Sequence, residues 1–115
     1  MVDMLRQHRL LESTYIMVTS DHGYHLGQFA LAVDKRLPYE SDIRVPLLIR
    51  GPGVGAGTRV SAPVVSIDLA PTVLDMAHID TPMDMDGVSV LPLVATDRPA
   101  HAKVVIIRFV DCCRV

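Results

Sequence analysis

A carboxylate and an imidazole stand side by side at Asp21 and His22, a second imidazole follows at His25, and a lysine lies further along at Lys35. The run Thr19-Ser20-Asp21-His22-Gly23-Tyr24-His25-Leu26-Gly27-Gln28 therefore gathers metal-ligating and acid–base side chains into one short glycine-containing stretch. Adjacent residues on a regular strand point to opposite faces. Asp21 and His22 can converge on one ion only if the strand has ended, and Gly23 makes that ending available. The plain alternative is an ordinary turn, in which Asp21 bonds nearby backbone and Gly23 supplies the reversal. His25 likewise has two readings, a contact with substrate or leaving group, or a loop-stabilising imidazole bonded to a backbone carbonyl.

The elements that must position these groups follow from apolar patterning. Residues 15–18 form a β-branched and aromatic run that predicts a buried strand of a parallel sheet, so that the polar cluster begins at its carboxyl end, where open α/β sheets bind ligands. Residues 2–11 carry a partial helical stripe. Residues 20–42 form a long loop, a length usually associated with function. Residues 45–50 predict a second buried strand, stopped by Gly51-Pro52-Gly53. Residues 60–65 predict a third, at a sheet edge because Pro63 cannot donate to a ladder. Asp68 suits an N-cap and Pro71 a first helical turn, with Leu69, Val73, Leu74 and Ala77 as the apolar stripe of a helix packed on the sheet. Residues 104–110 are strand-like.

Downstream of the polar cluster come Asp34-Lys35-Arg36, Tyr39-Glu40, Asp42-Ile43-Arg44-Val45-Pro46 and Arg50-Gly51-Pro52-Gly53. This order resembles the sulfatase family of the alkaline-phosphatase-like superfamily, over roughly residues 5–93. Within it the chain is most similar to the N-acetylglucosamine-6-sulfatases, through Gly23, Tyr24, His25, Gly27, Gln28 and Phe29, and next to the extracellular heparan sulfate endosulfatases. The resemblance implies an α/β fold, part of an alkaline-phosphatase-like sandwich with a mixed sheet and packing helices. It implies that Asp21 and His22 bind a calcium ion, that Lys35 contacts sulfate, and that His25 is a candidate for contact with the substrate or leaving group. The substrate class implied is a sulfated glycosaminoglycan sugar, in particular 6-sulfated glucosamine. The compartment implied is the lysosome, or the cell surface for the endosulfatase branch.

Such chemistry suits these residue types. Negative oxygens on the transferring group call for preorganised positive charge, which a divalent cation and a compact ammonium provide. His22 offers nitrogen where calcium favours oxygen, so zinc is the alternative metal. The family's Cys-x-Pro-Ser-Arg motif, whose cysteine becomes formylglycine, is not in the chain, and Cys112-Cys113-Arg114 cannot build it. Residues 1–95 are thus expected to be the C-terminal part of a catalytic domain and 96–115 a divergent tail. The competing reading is a metal- or glycan-binding remnant without turnover.

Composition narrows the field. A 115-residue chain with a net charge of −2 and 4% aromatic residues carries no basic stripe for nucleic acid. Its 50% hydrophobic content is high for a free domain of this length and suggests missing partner strands. No apolar run is long enough to cross a bilayer, and the amino-terminal residues lack an apolar signal segment. Vicinal Cys112 and Cys113 do not make a disulfide framework. Met76, Met83 and Met85 predict packing filler, and Asp80, Asp84 and Asp86 a solvated connection.

Overall fold

The computed structural model describes residues 1–35, 37–57 and 59–95 and the backbone of residues 105–110. Four strands, β1 (Ile16–Val18), β2 (Arg44–Arg50), β3 (Arg59–Val65) and β4 (Val105–Val110), form one sheet in the order β1-β2-β4-β3. β2 pairs antiparallel with both β1 and β4, whereas β3 runs parallel to β4. The sheet is therefore mixed, as the sequence predicts. Helices α1 (Val2–Gln7), α2 (Glu40–Ile43), α3 (Leu69–Met76) and α4 (Leu91–Val94) complete the α/β arrangement.

β1 departs from the expectation of a buried parallel strand. It registers Ile16 opposite Arg50 and Val18 opposite Leu48 in antiparallel sense, and Val18 is exposed. Apolar content alone does not specify strand direction, which depends on backbone partners distant in sequence. β2 alternates instead of being buried on both faces. Val45, Leu47 and Ile49 are buried, while Arg44 and Pro46 are exposed and Leu48 and Arg50 lie between. That period of two means that one face packs, and the opposite face of the strand stays open. β3 lies at the sheet edge, as Pro63 predicts, and its register with β4 shifts between Val60 and Pro63. The strand-like reading of residues 104–110 corresponds to β4, while the rest of 96–115 lies outside the described residues.

The core joins Val45, Leu47 and Ile49 of β2 to Val64, Val54, Val90 and Val94, with Tyr15, Met17, Leu69 and Met76 packed against it. Burying a side chain such as Leu47 or Ile49 contributes about 1.5–3 kcal/mol.

Helix α3 corrects the predicted stripe. Val73 and Ala77 are exposed, whereas Pro71 and Thr72 are buried and Leu69 and Met76 touch the core. A polar residue faces inward because its hydroxyl is satisfied on both sides. Thr72 Oγ1 donates to the Asp68 carbonyl at 2.6 Å and accepts from the Val90 N–H at 2.9 Å. Asp68 precedes α3 as predicted but makes no side-chain bond into it. Its carboxylate accepts instead from the N–H groups of Val65 and Val88, tying the end of β3 to residues 87–90. Met76 is packing filler as expected, but Met83 is fully exposed. Asp80, Asp84 and Asp86 are exposed. Residues 2–11 form one short helix followed by a 3-10 turn at Leu11–Ser13.

Candidate metal and sulfate site

The strand β1 ends at Val18, and the backbone turns through Ser20, whose hydroxyl donates to the His22 carbonyl at 2.9 Å. Beyond this turn Asp21 and His22 do converge. Asp21 Oδ2 lies 3.2 Å from His22 Nε2. Asp21 Oδ1 meanwhile accepts the His22 N–H at 3.0 Å, so the turn reading and the ligand reading describe two oxygens of one carboxylate.

His22 has a defined tautomer. Its Nδ1 lies 2.7 Å from the Gly23 carbonyl, which can only accept, so Nδ1 carries a proton, and in the neutral ring Nε2 is the acceptor. Lys35 reaches that acceptor, with Nζ 2.5 Å from Nε2. Three side chains expected to share a site from their order in the chain thus come together. The Asp21 carboxyl is held below the ordinary carboxylate range. A desolvation contribution works the other way and is outweighed by the neighbouring His22, the His22 and Asp21 backbone N–H groups, and Lys35. Asp21 keeps its charge above that lowered value and loses it only as the pH falls through it.

An imidazole lone pair and a carboxylate oxygen only 3.2 Å apart repel unless positive charge lies near both. In this structure the ammonium of Lys35 supplies it. The same pair is suited to offering two donors to a cation. Among the described residues no group of three or more His, Cys, Asp or Glu side chains is arranged to hold a metal ion, so Asp21 and His22 form half of a coordination sphere at most.

Lys35 is carried by a segment folded back on the turn. His25 and Asp34 form an isolated antiparallel bridge, in which the His25 N–H donates to the Asp34 carbonyl at 2.8 Å. Asp34 Oδ1 accepts the Lys35 N–H at 2.8 Å. Between them Gly27 takes a φ of 95°, and Phe29 and Ala30 both take left-handed conformations, at 58° and 57°. Leu26, Phe29 and Val33 project into solvent along this stretch.

His25 lies elsewhere in the site. It is 1% exposed, its ring meets Tyr39 edge-on at 5.7 Å, and Nε2 lies 3.2 Å from Asp42 Oδ1. That approach is close but poorly aligned, and by angle Nε2 has no hydrogen-bond partner. The contact is a close polar approach rather than a hydrogen bond. Its partner is a carboxylate, not the backbone carbonyl considered from sequence.

Tyr39 and Asp42 entered the sequence reading only through the residue order that resembles the family and Ser41 not at all, and none of the three was given a role in the site. Asp42 is completely buried at the junction of α2 and β2. The only signal was a carboxylate placed directly before an apolar strand.

The mixed sheet, with Asp21, His22 and Lys35 meeting beyond the end of β1, makes an α/β fold with a charged cluster at a strand end. A family model described as Sulfatase matches residues 1–79, and the chain belongs to the sulfatase family. It is 58% identical over 84 residues to the extracellular sulfatase SULF-1 homolog of Drosophila melanogaster, covering 73% of this chain and 8% of that protein. It is 53% identical over 85 residues to the N-acetylglucosamine-6-sulfatase of Homo sapiens, covering 73% of this chain and 15% of that protein. The solved structure of BT4656 in complex with its substrate D-glucosamine-2-N,6-O-disulfate superposes with a TM-score of 0.75 at 38% identity, over 87% of this chain and 21% of that one. The chain thus spans a small part of the length of these relatives.

Proposed function

We propose that these residues serve a sulfuric ester hydrolase acting on 6-sulfated glucosamine in glycosaminoglycans, with Asp21 and His22 as metal ligands and Lys35 as the sulfate contact. The observation that carries the reading is the meeting of Asp21, His22 and Lys35 on one spot, three side chains whose order in the chain is that of the family. The names of the relatives support the substrate class, since one is an N-acetylglucosamine-6-sulfatase and another structure holds a 6-O-sulfated glucosamine.

In this reading Lys35 turns from His22 to a sulfate oxygen, presenting a compact charge to a tetrahedral oxyanion. His22 keeps Nδ1–H on Gly23, which fixes the ring so that Nε2 faces the site. Asp21 contributes an oxygen that stays ionised at mildly acidic pH. A calcium ion held by Asp21, His22 and further oxygen ligands would neutralise charge on the sulfate, zinc being the alternative that the imidazole suits. Hydrolysis breaks the ester S–O bond, delivers water oxygen to sulfur and returns a proton to the sugar alkoxide. The nucleophile belongs to the Cys-x-Pro-Ser-Arg motif, which these 115 residues do not contain. For His25, burial favours loop stabilisation over direct contact with substrate.

The 58% identity to an extracellular sulfatase SULF-1 homolog favours a second reading, an endosulfatase acting on heparan sulfate outside the cell, whereas the glucosamine-6-sulfatase reading goes with the lysosome. Hydrolysis of 4-methylumbelliferyl sulfate by the full protein that carries this chain, with calcium supplied and then chelated, tests the common core of both. Calcium-dependent turnover is expected. Metal binding without turnover would instead identify a non-catalytic binding remnant.

A further inference from the structure

We propose that Asp42 is the positioning residue of this site: its main-chain carbonyl holds the Asp21–His22 turn and its buried carboxylate holds the Lys35 segment, so that the two stand at a fixed distance from each other. The inference rests on the functional reading above and names the device that makes it geometrically possible.

Asp42 touches both halves of the site from one anchored position. It is completely buried where α2 passes into β2, and its own N–H donates to the Tyr39 carbonyl at 2.8 Å. β2 is the strand whose Val45, Leu47 and Ile49 build the core, so Asp42 sits two residues before a core strand. Toward the ligand turn, the Asp42 carbonyl accepts the Gly23 N–H at 2.6 Å, one residue after His22. The neighbouring Ser41 carbonyl accepts the Tyr24 N–H at 3.1 Å. Toward the lysine segment, Asp42 Oδ2 accepts the Leu37 N–H at 3.3 Å, two residues after Lys35. The other oxygen, Oδ1, stands 3.2 Å from His25 Nε2, and His25 is itself bridged by its backbone to Asp34.

The segments thus stack in order, β2 start, ligand turn, lysine segment, with the Asp42 carboxylate reaching through to the third layer. Gly23 gives an independent sign that this stacking is close. A Cβ built there would lie 1.8 Å from the Ser41 carbonyl oxygen, so only glycine lets the ligand turn press onto residues 41–42. The His25–Asp34 bridge and the Lys35–His22 contact also connect turn to lysine segment, and Asp42 links both to the start of β2. The lysine segment contains two left-handed non-glycine residues, Phe29 and Ala30, which an unsupported loop would relax. A buried carboxylate is costly to leave partly satisfied, so it holds the Leu37 N–H firmly.

The test uses the full protein that carries this chain, as wild type, Asp42→Asn and Asp42→Ala. Hydrogen exchange is followed separately over residues 23–25, residue 37 and β2. For Asp42→Ala, exchange should rise at residue 37, while residues 23–24, bonded to main-chain carbonyls that the substitution keeps, and β2 hold their protection. On a 6-O-sulfated glucosamine, kcat/KM should fall by about a hundredfold, the scale of misplacing a reacting partner by an ångström, with calcium affinity unchanged. Asp42→Asn, which keeps one acceptor oxygen, should recover most of the protection at residue 37 and of kcat/KM. An unchanged residue 37, or wild-type kcat/KM, in Asp42→Ala would overturn the proposal. If Asp42→Ala loses protection throughout β2, the asparagine variant decides by the same comparison at residue 37. A wild-type protein without sulfatase turnover would defeat the functional reading, and the exchange result would still stand or fall on its own.

Discussion

A carboxylate oxygen and an imidazole nitrogen held 3.2 Å apart make a demand for positive charge, and everything else at the residue scale follows from how that demand is met. The ordinary supplier is a metal ion, and Lys35 stands close enough to share the role. Because the Asp21 carboxyl is held low, its negative charge is present above that lowered value and disappears only as the pH falls through it, and the proposed cation site would follow the same dependence. Asp21→Asn should therefore weaken calcium binding by a similar factor at neutral pH and at about pH 5, since an unperturbed aspartate titrates near 3.9. Calcium titrations at the two pH values check this, and a factor that vanishes at the lower one would contradict it. Gly23→Ala drives a methyl into the Ser41 carbonyl and should cost about 1–3 kcal/mol, the usual range for overpacking, read from the denaturant midpoint. That Asp21 and His22 could converge was legible in the sequence because they are adjacent and followed by Gly23, whereas Lys35 was placed beside them only by the family resemblance. His25 was ambiguous, since an imidazole in a glycine loop serves burial and catalysis equally well on paper. Asp42 was invisible as an anchor because its partners, Gly23, His25 and Leu37, are brought to it only by the folded loop.

At the scale of elements, β2 and α3 carry the stability that the site draws on. Leu47 is fully buried in the middle of β2, and Leu47→Ala should destabilise by about 2–5 kcal/mol, visible as a lower thermal midpoint. Thr72→Val keeps the volume but leaves the Val90 N–H without its acceptor, so it should cost about 1–3 kcal/mol, whereas Thr72→Ser should be much milder. Denaturant unfolding of the two variants side by side makes the comparison. These two cases also mark where pattern reading works and where it stops. Strand positions at 44–50 and 59–65 follow from β-branched runs bounded by glycine and proline, and Pro63 correctly marks an edge. The antiparallel sense of β1 does not, because it is decided by pairing with residues 48–50, far along the chain. The inward face of α3 was misassigned for a related reason. Thr72 looks like a surface residue until Val90 arrives to satisfy its hydroxyl.

At the scale of the whole molecule, Leu26, Phe29 and Val33 leave apolar surface exposed beside the site, and among the described residues β1 and β3 are the edge strands of the sheet. The 50% hydrophobic content agrees with such exposed apolar surface. Expressed alone, the chain should self-associate through these surfaces, giving concentration-dependent species on size-exclusion chromatography with light scattering. A monodisperse monomer over a wide concentration range would show that the surfaces are innocuous. The central claim concerns chemistry, and the most direct measurement is sulfate release from a 6-O-sulfated glucosamine by the full protein that carries this chain, with calcium present, as wild type and as Lys35→Ala. The account predicts turnover by the wild type and a loss of about 10²–10³ in kcat for Lys35→Ala, the scale of removing one preorganised donor to a developing oxyanion. Equal turnover by both, or none by the wild type, would contradict it.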